Sequence, residues 1–262
     1  MKTFDRNQTK KILNNVQKDG ICVIKNVFKI KKMEQFKNKI EKIYKKRKKN
    51  FESVGSTNNQ CIYNFFMEDK SLFKLISIPV VDKLLKKLID EDYVLQSSNA
   101  QNRLIEKVIS GKRSFKIGNK WHTDSRYINN KRLSKGFSYL VVVALEDFTK
   151  NNSATQYVEG SLNNLKKPKR IAKYKCKKLT MKAGSICIMD TGLWHKGGKA
   201  TSISRWSIFN IFTPWFVKPY FNYRNMLGKK DKKFSIQEKK ILHFFSEPPK
   251  DHNDRINTLI SY

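Results

Sequence analysis

Hydrophobic and polar positions alternate with two different periods along this chain. Over residues 7–18, Ile12, Leu13 and Val16 fall at helical intervals, and Asp19-Gly20 stops the helix before an apolar run at residues 21–27 that reads as a strand. A second helix is predicted over residues 30–46, where Met33, Phe36, Ile40 and Ile43 recur at spacings of three and four. The lysines of residues 45–49 then form a solvated helix end. Residues 52–59 are polar and contain glycine, the pattern of a mobile loop.

The second half of the chain changes period. Strands are predicted at residues 93–98 and 104–108, and another is expected to begin after Gly118. Residues 137–145 are almost continuously apolar and β-branched, as in an inner strand. The lysine-rich stretch 166–178 around Pro168 is expected to be an exposed excursion before strands at 177–181 and 185–189. From 205 to 213, Ser207, Phe209 and Ile211 alternate with Trp206, Ile208 and Phe212, so the two faces of that strand should pack differently. A last helix is predicted over residues 236–245, ahead of Pro248-Pro249. Pattern alone gives an α+β chain with a β-rich second half, and 262 residues with 39% hydrophobic content suit one domain over residues 1–262.

Charge changes this picture little. The formal net charge is +33, from 55 Lys and Arg against 22 Asp and Glu. The lysines are spread through a chain also rich in asparagine, isoleucine and phenylalanine, which points to compositional bias rather than a nucleic-acid footprint; a basic surface still steers anionic small molecules or carriers. Cys22, Cys61, Cys176 and Cys187 form no CxxC pair, as expected for free thiols in a reducing compartment. The polar start of the chain and the lack of a long apolar run predict neither signal peptide nor membrane span, hence a cytoplasmic protein.

Candidate chemistry centres on Trp121-His122-Thr123-Asp124. On an extended strand, His122 and Asp124 would project onto one face and could hold a metal together. His195, in Leu193-Trp194-His195-Lys196, supplies a third ligand, and two histidines with one carboxylate are the facial set of non-haem Fe(II) sites. Ten residues on, Arg205 and Ser207 form Arg-x-Ser on alternate positions of one strand, suited to clamp the carboxylate of a keto-acid cosubstrate beside the metal. His243 and His252 need only packing or surface roles.

These residues, together with Gly20-Ile21-Cys22-Val23-Ile24-Lys25-Asn26-Val27, residues 73–88 and 92–95, Asn151-Asn152-Ser153-Ala154-Thr155 through Gly160-Ser161, and Ala183-Gly184-Ser185-Ile186, resemble the phytanoyl-CoA dioxygenase family of Fe(II)- and 2-oxoglutarate-dependent oxygenases. Leu162, Asn151 and Glu159 depart from the family's usual histidine, glutamate and proline. The resemblance implies a double-stranded β-helix, a cupin-like jelly-roll barrel supported by N-terminal helices. It implies Fe(II) on His122, Asp124 and His195, with 2-oxoglutarate and O2 consumed and succinate and CO2 released. Asn99 and Gln96 are candidates for the cosubstrate's other end, and Arg126 and Tyr127 for an anionic substrate. Relatives that halogenate lack the carboxylate that Asp124 supplies, so hydroxylation of a small or carrier-linked substrate is expected. Two other readings stay open. One is a nucleic-acid oxygenase, disfavoured because residues 206–213 lack the second arginine typical of that type. The other is a catalytically silent jelly-roll binding protein. The sequence leaves the oligomeric state open.

Overall fold

A computed structural model describes residues 1–49, 59–103, 120–128, 131–133, 135–198, 204–246 and 251–253. The chain opens with β1 (Thr3–Asp5), α1 (Thr9–Asp19), β2 (Ile21–Lys25) and α2 (Ile30–Lys49). Then come β3 (Asn59–Tyr63), α3 (Pro79–Leu88) and β4 (Val94–Arg103). A small hairpin, β5 (Tyr127–Ile128) and β6 (Lys131–Arg132), precedes β7 (Tyr139–Ala144), β8 (Gln156–Tyr157), β9 (Lys177–Lys178), β10 (Ile186–Asp190), β11 (His195–Lys196) and β12 (Arg205–Thr213). Two short helices, α4 (Tyr223–Leu227) and α5 (Ile236–Ile241), follow.

Seven strands form the main sheet in the order β1-β2-β10-β7-β12-β4-β3, antiparallel except for β1 beside β2. A three-stranded sheet, β11-β8-β9, accompanies it. Alternation divides the main sheet's side chains between two cores. Cys22, Ile24, Val141, Val143, Ile186, Ile188, Trp206 and Ile208 face the helices, packing with Ile12 and Val16 of α1, Met33 and Phe36 of α2, and Leu84 and Leu85 of α3. Val23, Leu140, Val142, Cys187 and Met189 face the other way, against Phe148, Tyr157, Leu179 and Met181 near the small sheet. Burial on both faces is why β7 and β10 read as nearly unbroken apolar runs despite being antiparallel.

The two N-terminal helices and the strands at 139–144, 186–190 and 205–213 stand where the pattern put them, to within a few residues, while the strand predicted at 93–98 runs on to Arg103. The last helix ends early, at Ile241, because His243 takes φ = +65° and the chain turns. The expected strand at 104–108 and most of the loop at 52–59 lie outside the described residues, although Asn59 itself opens β3. One correction concerns the stretch around the metal motif. Residues 120–126 form no strand: His122 makes a single bridge to His195, and Asp124 and Ser125 lie in a bend.

Candidate metal centre

The bridge is reciprocal. His122 N donates to His195 O at 3.0 Å and His195 N to His122 O at 2.9 Å, which sets both imidazoles on one side with ring centroids 4.4 Å apart. Asp124 reaches the same space by another route, since its N–H and that of Ser125 both donate to Thr191 O, at 2.9 and 3.1 Å. Thr191 is itself held in a buried cluster, its hydroxyl 2.7 Å from Ser125 Oγ and 2.5 Å from Ser138 Oγ. Just before it, the Asp190 carboxylate accepts from Gly136 N and Gly192 N, fixing the turn that leads into β11.

The result is a compact donor set. Asp124 Oδ2 lies 3.3 Å from His195 Nε2, and Asp124 Oδ1 lies 3.8 Å from His122 Nε2. One ligand atom from each residue falls within 4.8 Å of the others. Around an ion with bonds of about 2.1 Å, adjacent ligand atoms are about 3 Å apart, so the set needs little closure. Each histidine Nδ1 lies against a backbone carbonyl, Lys120 O at 2.7 Å and Leu193 O at 2.9 Å. Those carbonyls can only accept, so each ring carries its proton on Nδ1 and turns the Nε2 lone pair inward, the tautomer a metal requires. Burial and the neighbouring His195 hold His122 below its ordinary pKa. Burial opposes charge on Asp124 and His195 as well, but their mutual attraction prevails, lowering the carboxyl and raising the imidazole. A divalent cation would take the place of the second proton that this attraction favours on His195 Nε2.

Arg205, at the start of β12, is 1% exposed. Its Nε donates to Asn152 O at 3.1 Å, Nη2 to Ser153 O at 2.8 Å and Nη1 to Ser207 Oγ at 2.8 Å, while the Phe148 ring centroid lies 3.4 Å from Cζ. All three acceptors are neutral. Burial, reinforced by the positive charge of Arg103, pushes the guanidinium down to about 9, far below the usual arginine range. Glu146 offsets part of this without accepting a hydrogen bond from the guanidinium, and a buried cation whose acceptors are all neutral is a partner for an incoming carboxylate. The 152–154 turn that supplies the carbonyls is tied to the chain beyond His195: Ser153 adopts φ = +67° and its Oγ donates to Gly198 O at 2.6 Å. A Cβ at Gly198 would come within 2.3 Å of Ala154 O, so only glycine permits that approach.

The other sequence candidates are distributed around this centre. Asn99 pairs with Phe209 and so shares the inner face of the sheet, where its Oδ1 accepts from Gln101 Nε2 at 2.8 Å. Gln96 is the residue skipped where the β4–β12 register slips. Its side chain is buried, and its carbonyl leaves the ladder to accept from Tyr220 N and Tyr223 Oη. Arg126 is exposed, with its guanidinium 5.0 Å from the Tyr220 ring. Tyr127 joins its hydroxyl to Thr123 Oγ1 at 2.7 Å and receives Lys167 over its ring. His243 is buried far along the chain from the centre, bonded to Leu95 O and Ser246 Oγ, and His252 is exposed. Residue types alone could not have revealed the carbonyls of Lys120, Leu193, Asn152 and Ser153. Gln101 and Arg103 were accessible, because alternation along β4 sets them opposite Ser207 and Arg205.

Residues 16–206 match the family model described as phytanoyl-CoA dioxygenase. Uncharacterized proteins of Mycobacterium bovis and Mycobacterium tuberculosis are each 27% identical over 169 residues, 61% of this chain and 58% of theirs. The chain thus spans little more than half the length of these relatives. Among solved structures, HygX from Streptomyces hygroscopicus, with nickel and 2-oxoglutarate bound, superposes with a TM-score of 0.63 at 12% identity, covering 81% of this chain and 89% of that one. The epimerase SnoN, in complex with Fe3+, alpha ketoglutarate and nogalamycin RO, gives 0.60 at 14% identity over 81% and 87%. The non-heme monooxygenase ThoJ gives 0.61 at 16% identity over 80% of each chain. At such identities the likeness is one of fold, and that fold is the jelly roll with its supporting helices. No helix among the described residues is long and apolar enough to cross a membrane.

Proposed function

We propose that this chain, which belongs to the phytanoyl-CoA dioxygenase family, is an Fe(II)- and 2-oxoglutarate-dependent dioxygenase that hydroxylates a small or carrier-linked, anionic substrate. The observation that carries the reading is the pairing of two incomplete sites: a three-residue donor set at His122, Asp124 and His195, and a buried guanidinium at Arg205 without a carboxylate acceptor. One ligand that binds metal at one end and presents a carboxylate at the other completes both.

When bound, iron and 2-oxoglutarate supply the oxidising chemistry, consuming O2 and releasing succinate and CO2. The chain's part is to hold and orient. His122, Asp124 and His195 would hold the metal through Nε2, a carboxylate oxygen and Nε2. Arg205 and Ser207 would receive the distal carboxylate, with Asn99 and Gln96 toward the cosubstrate's other end. Arg126 and Tyr127 would meet the substrate. Asp124 would supply the carboxylate ligand that halogenating relatives lack, which favours hydroxylation. The domain spans residues 1–262 and, with four thiols free of disulfides, belongs in a reducing, cytoplasmic setting.

The test is succinate release by purified protein supplied with Fe(II), 2-oxoglutarate and O2, run with and without a panel of anionic small molecules and carrier-linked acids. Because one structural neighbour is an epimerase, the substrate's fate is followed by mass as well as by chirality. Absence of succinate under all conditions, with metal bound, would sink the proposal.

A further inference from the structure

The backbone beneath the two histidines is slight. His122 belongs to no strand, and its partner β11 has two residues, so a single reciprocal hydrogen-bonded pair joins them. Something must keep that bridge from rotating. Each histidine follows a tryptophan, Trp121 and Trp194, and both indoles are buried. Chain alternation turns the indoles away from the imidazoles to the reverse side of the bridge, where Lys196 Nζ also lies, 4.7 Å from the Trp121 ring.

Across that reverse side runs the 166–178 excursion. It carries eight cationic side chains and no acidic one, and Ile171 is 91% exposed. Tyr174 turns its ring inward from this exposed stretch. Its ring meets Trp121 edge-on, with centroids 5.4 Å apart at 86°, and meets Trp194 at 5.2 Å and 61°. Its Oη accepts from Lys169 N at 2.9 Å, closing the loop on itself, while Arg170 O accepts from Trp121 N at 3.3 Å. One ring therefore touches the residue before each histidine.

We propose that Tyr174 is a positioning residue for the metal centre, its ring wedged between Trp121 and Trp194 so that His122 and His195 keep their relative orientation. The inference rests on the metal reading given above. Without the ring, the indoles close into the vacated space and the bridge rotates. The ligands themselves remain, so binding weakens and is not abolished. The hydroxyl has the separate task of closing the loop at Lys169.

Ni(II) serves as the probe, titrated into apoprotein by calorimetry, with the visible absorption of the Co(II)-loaded protein reporting ligand geometry. Tyr174→Leu should bind Ni(II) about tenfold more weakly, the scale of lost outer support around a metal, and should alter the Co(II) spectrum. Tyr174→Phe should match wild type in both, and so should Ile171→Ala on the same excursion. Tyr174→Met, similar in bulk but lacking a ring, repeats the test should the leucine variant not fold. Wild-type affinity and spectrum in the leucine or methionine variant would overturn the proposal, as would an equal loss in Tyr174→Phe. Failure of the wild-type protein to bind Ni(II) would instead overturn the metal reading, so the two failures are distinguishable.

Discussion

Replacing Arg205 with methionine separates the cost of burying a charge from its use in binding. The fall of the guanidinium from 12.5 to about 9 corresponds to about 5 kcal/mol against the charged form in the folded state. The same side chain makes three hydrogen bonds, to Asn152 O, Ser153 O and Ser207 Oγ, worth about 1 kcal/mol each. Methionine relieves the first term, loses the second and keeps the packing against Phe148. Unliganded Arg205→Met should therefore unfold at or slightly above the wild-type temperature, as when buried charges give way to apolar groups of similar bulk. Ligand reverses the ranking. At 2-oxoglutarate concentrations 100-fold over Kd, the wild-type protein gains about 2.7 kcal/mol, or about 5–10 °C for a chain of this size. The variant should gain almost nothing. Differential scanning calorimetry with saturating Ni(II), with and without 2-oxoglutarate, reads both quantities. A ligand-induced shift surviving in Arg205→Met would refute the carboxylate assignment. A large loss of stability in the unliganded variant would refute the charge-burial reasoning.

Alanine at His122 or His195 should abolish stoichiometric Fe(II) binding and turnover, checked by metal analysis of anaerobically loaded protein; a full site in both variants would contradict the ligand set. Arg205→Lys should recover only part of the cosubstrate affinity, since an ammonium lacks the planar fork, whereas Ser207→Ala should cost about 1 kcal/mol in a 2-oxoglutarate titration. His243, stacked on Tyr223 and bonded to Leu95 O, is pushed by burial down to about 4. The unfolded ring protonates near 6.5 and the folded one does not, so this stability is fully present above pH 6.5 and is lost as pH falls toward 4, by about 3 kcal/mol at most. Urea midpoints should therefore decline less steeply between pH 6.5 and 4 in His243→Gln; parallel declines would exclude the effect. Gly184 has φ = +80°, and a Cβ there would stand 2.3 Å from Phe28 O, so Gly184→Ala should cost about 3 kcal/mol in denaturant unfolding.

The parts of the fold readable from sequence are those whose burial imposes a period. Met33, Phe36 and Ile40 mark α2 because one stripe meets the sheet, and Trp206, Ile208 and Phe212 mark the helix-facing side of β12. The candidate ligands His122, Asp124 and His195, which the structure brings together, were legible by type and order. Their geometry was not, because it comes from distant backbone. The sequence suggested that a strand brings His122 and Asp124 together, whereas Thr191 O, more than sixty residues on, receives the N–H groups that place Asp124. Tyr174 was hidden for a similar reason. Among so many lysines it reads as part of a solvated excursion, and only the return of the chain across Trp121 and Trp194 gives its ring partners. Asn59–Tyr63 escaped notice as a strand because, at the sheet's edge, it carries little of the alternation that a strand buried on both faces would show.

The turn at residues 152–154 grips two things at once: the Arg205 guanidinium through its carbonyls, and the chain three residues past His195 through Ser153 Oγ and the bare α-carbon of Gly198. Contacts through the 152–154 main chain therefore link the neighbourhood of His195 to that of Arg205. On the cosubstrate reading proposed above, a keto diacid would have to reach from one to the other. On that reading the length of the cosubstrate would be matched to a spacing that this turn holds, independently of whatever side chains meet the substrate.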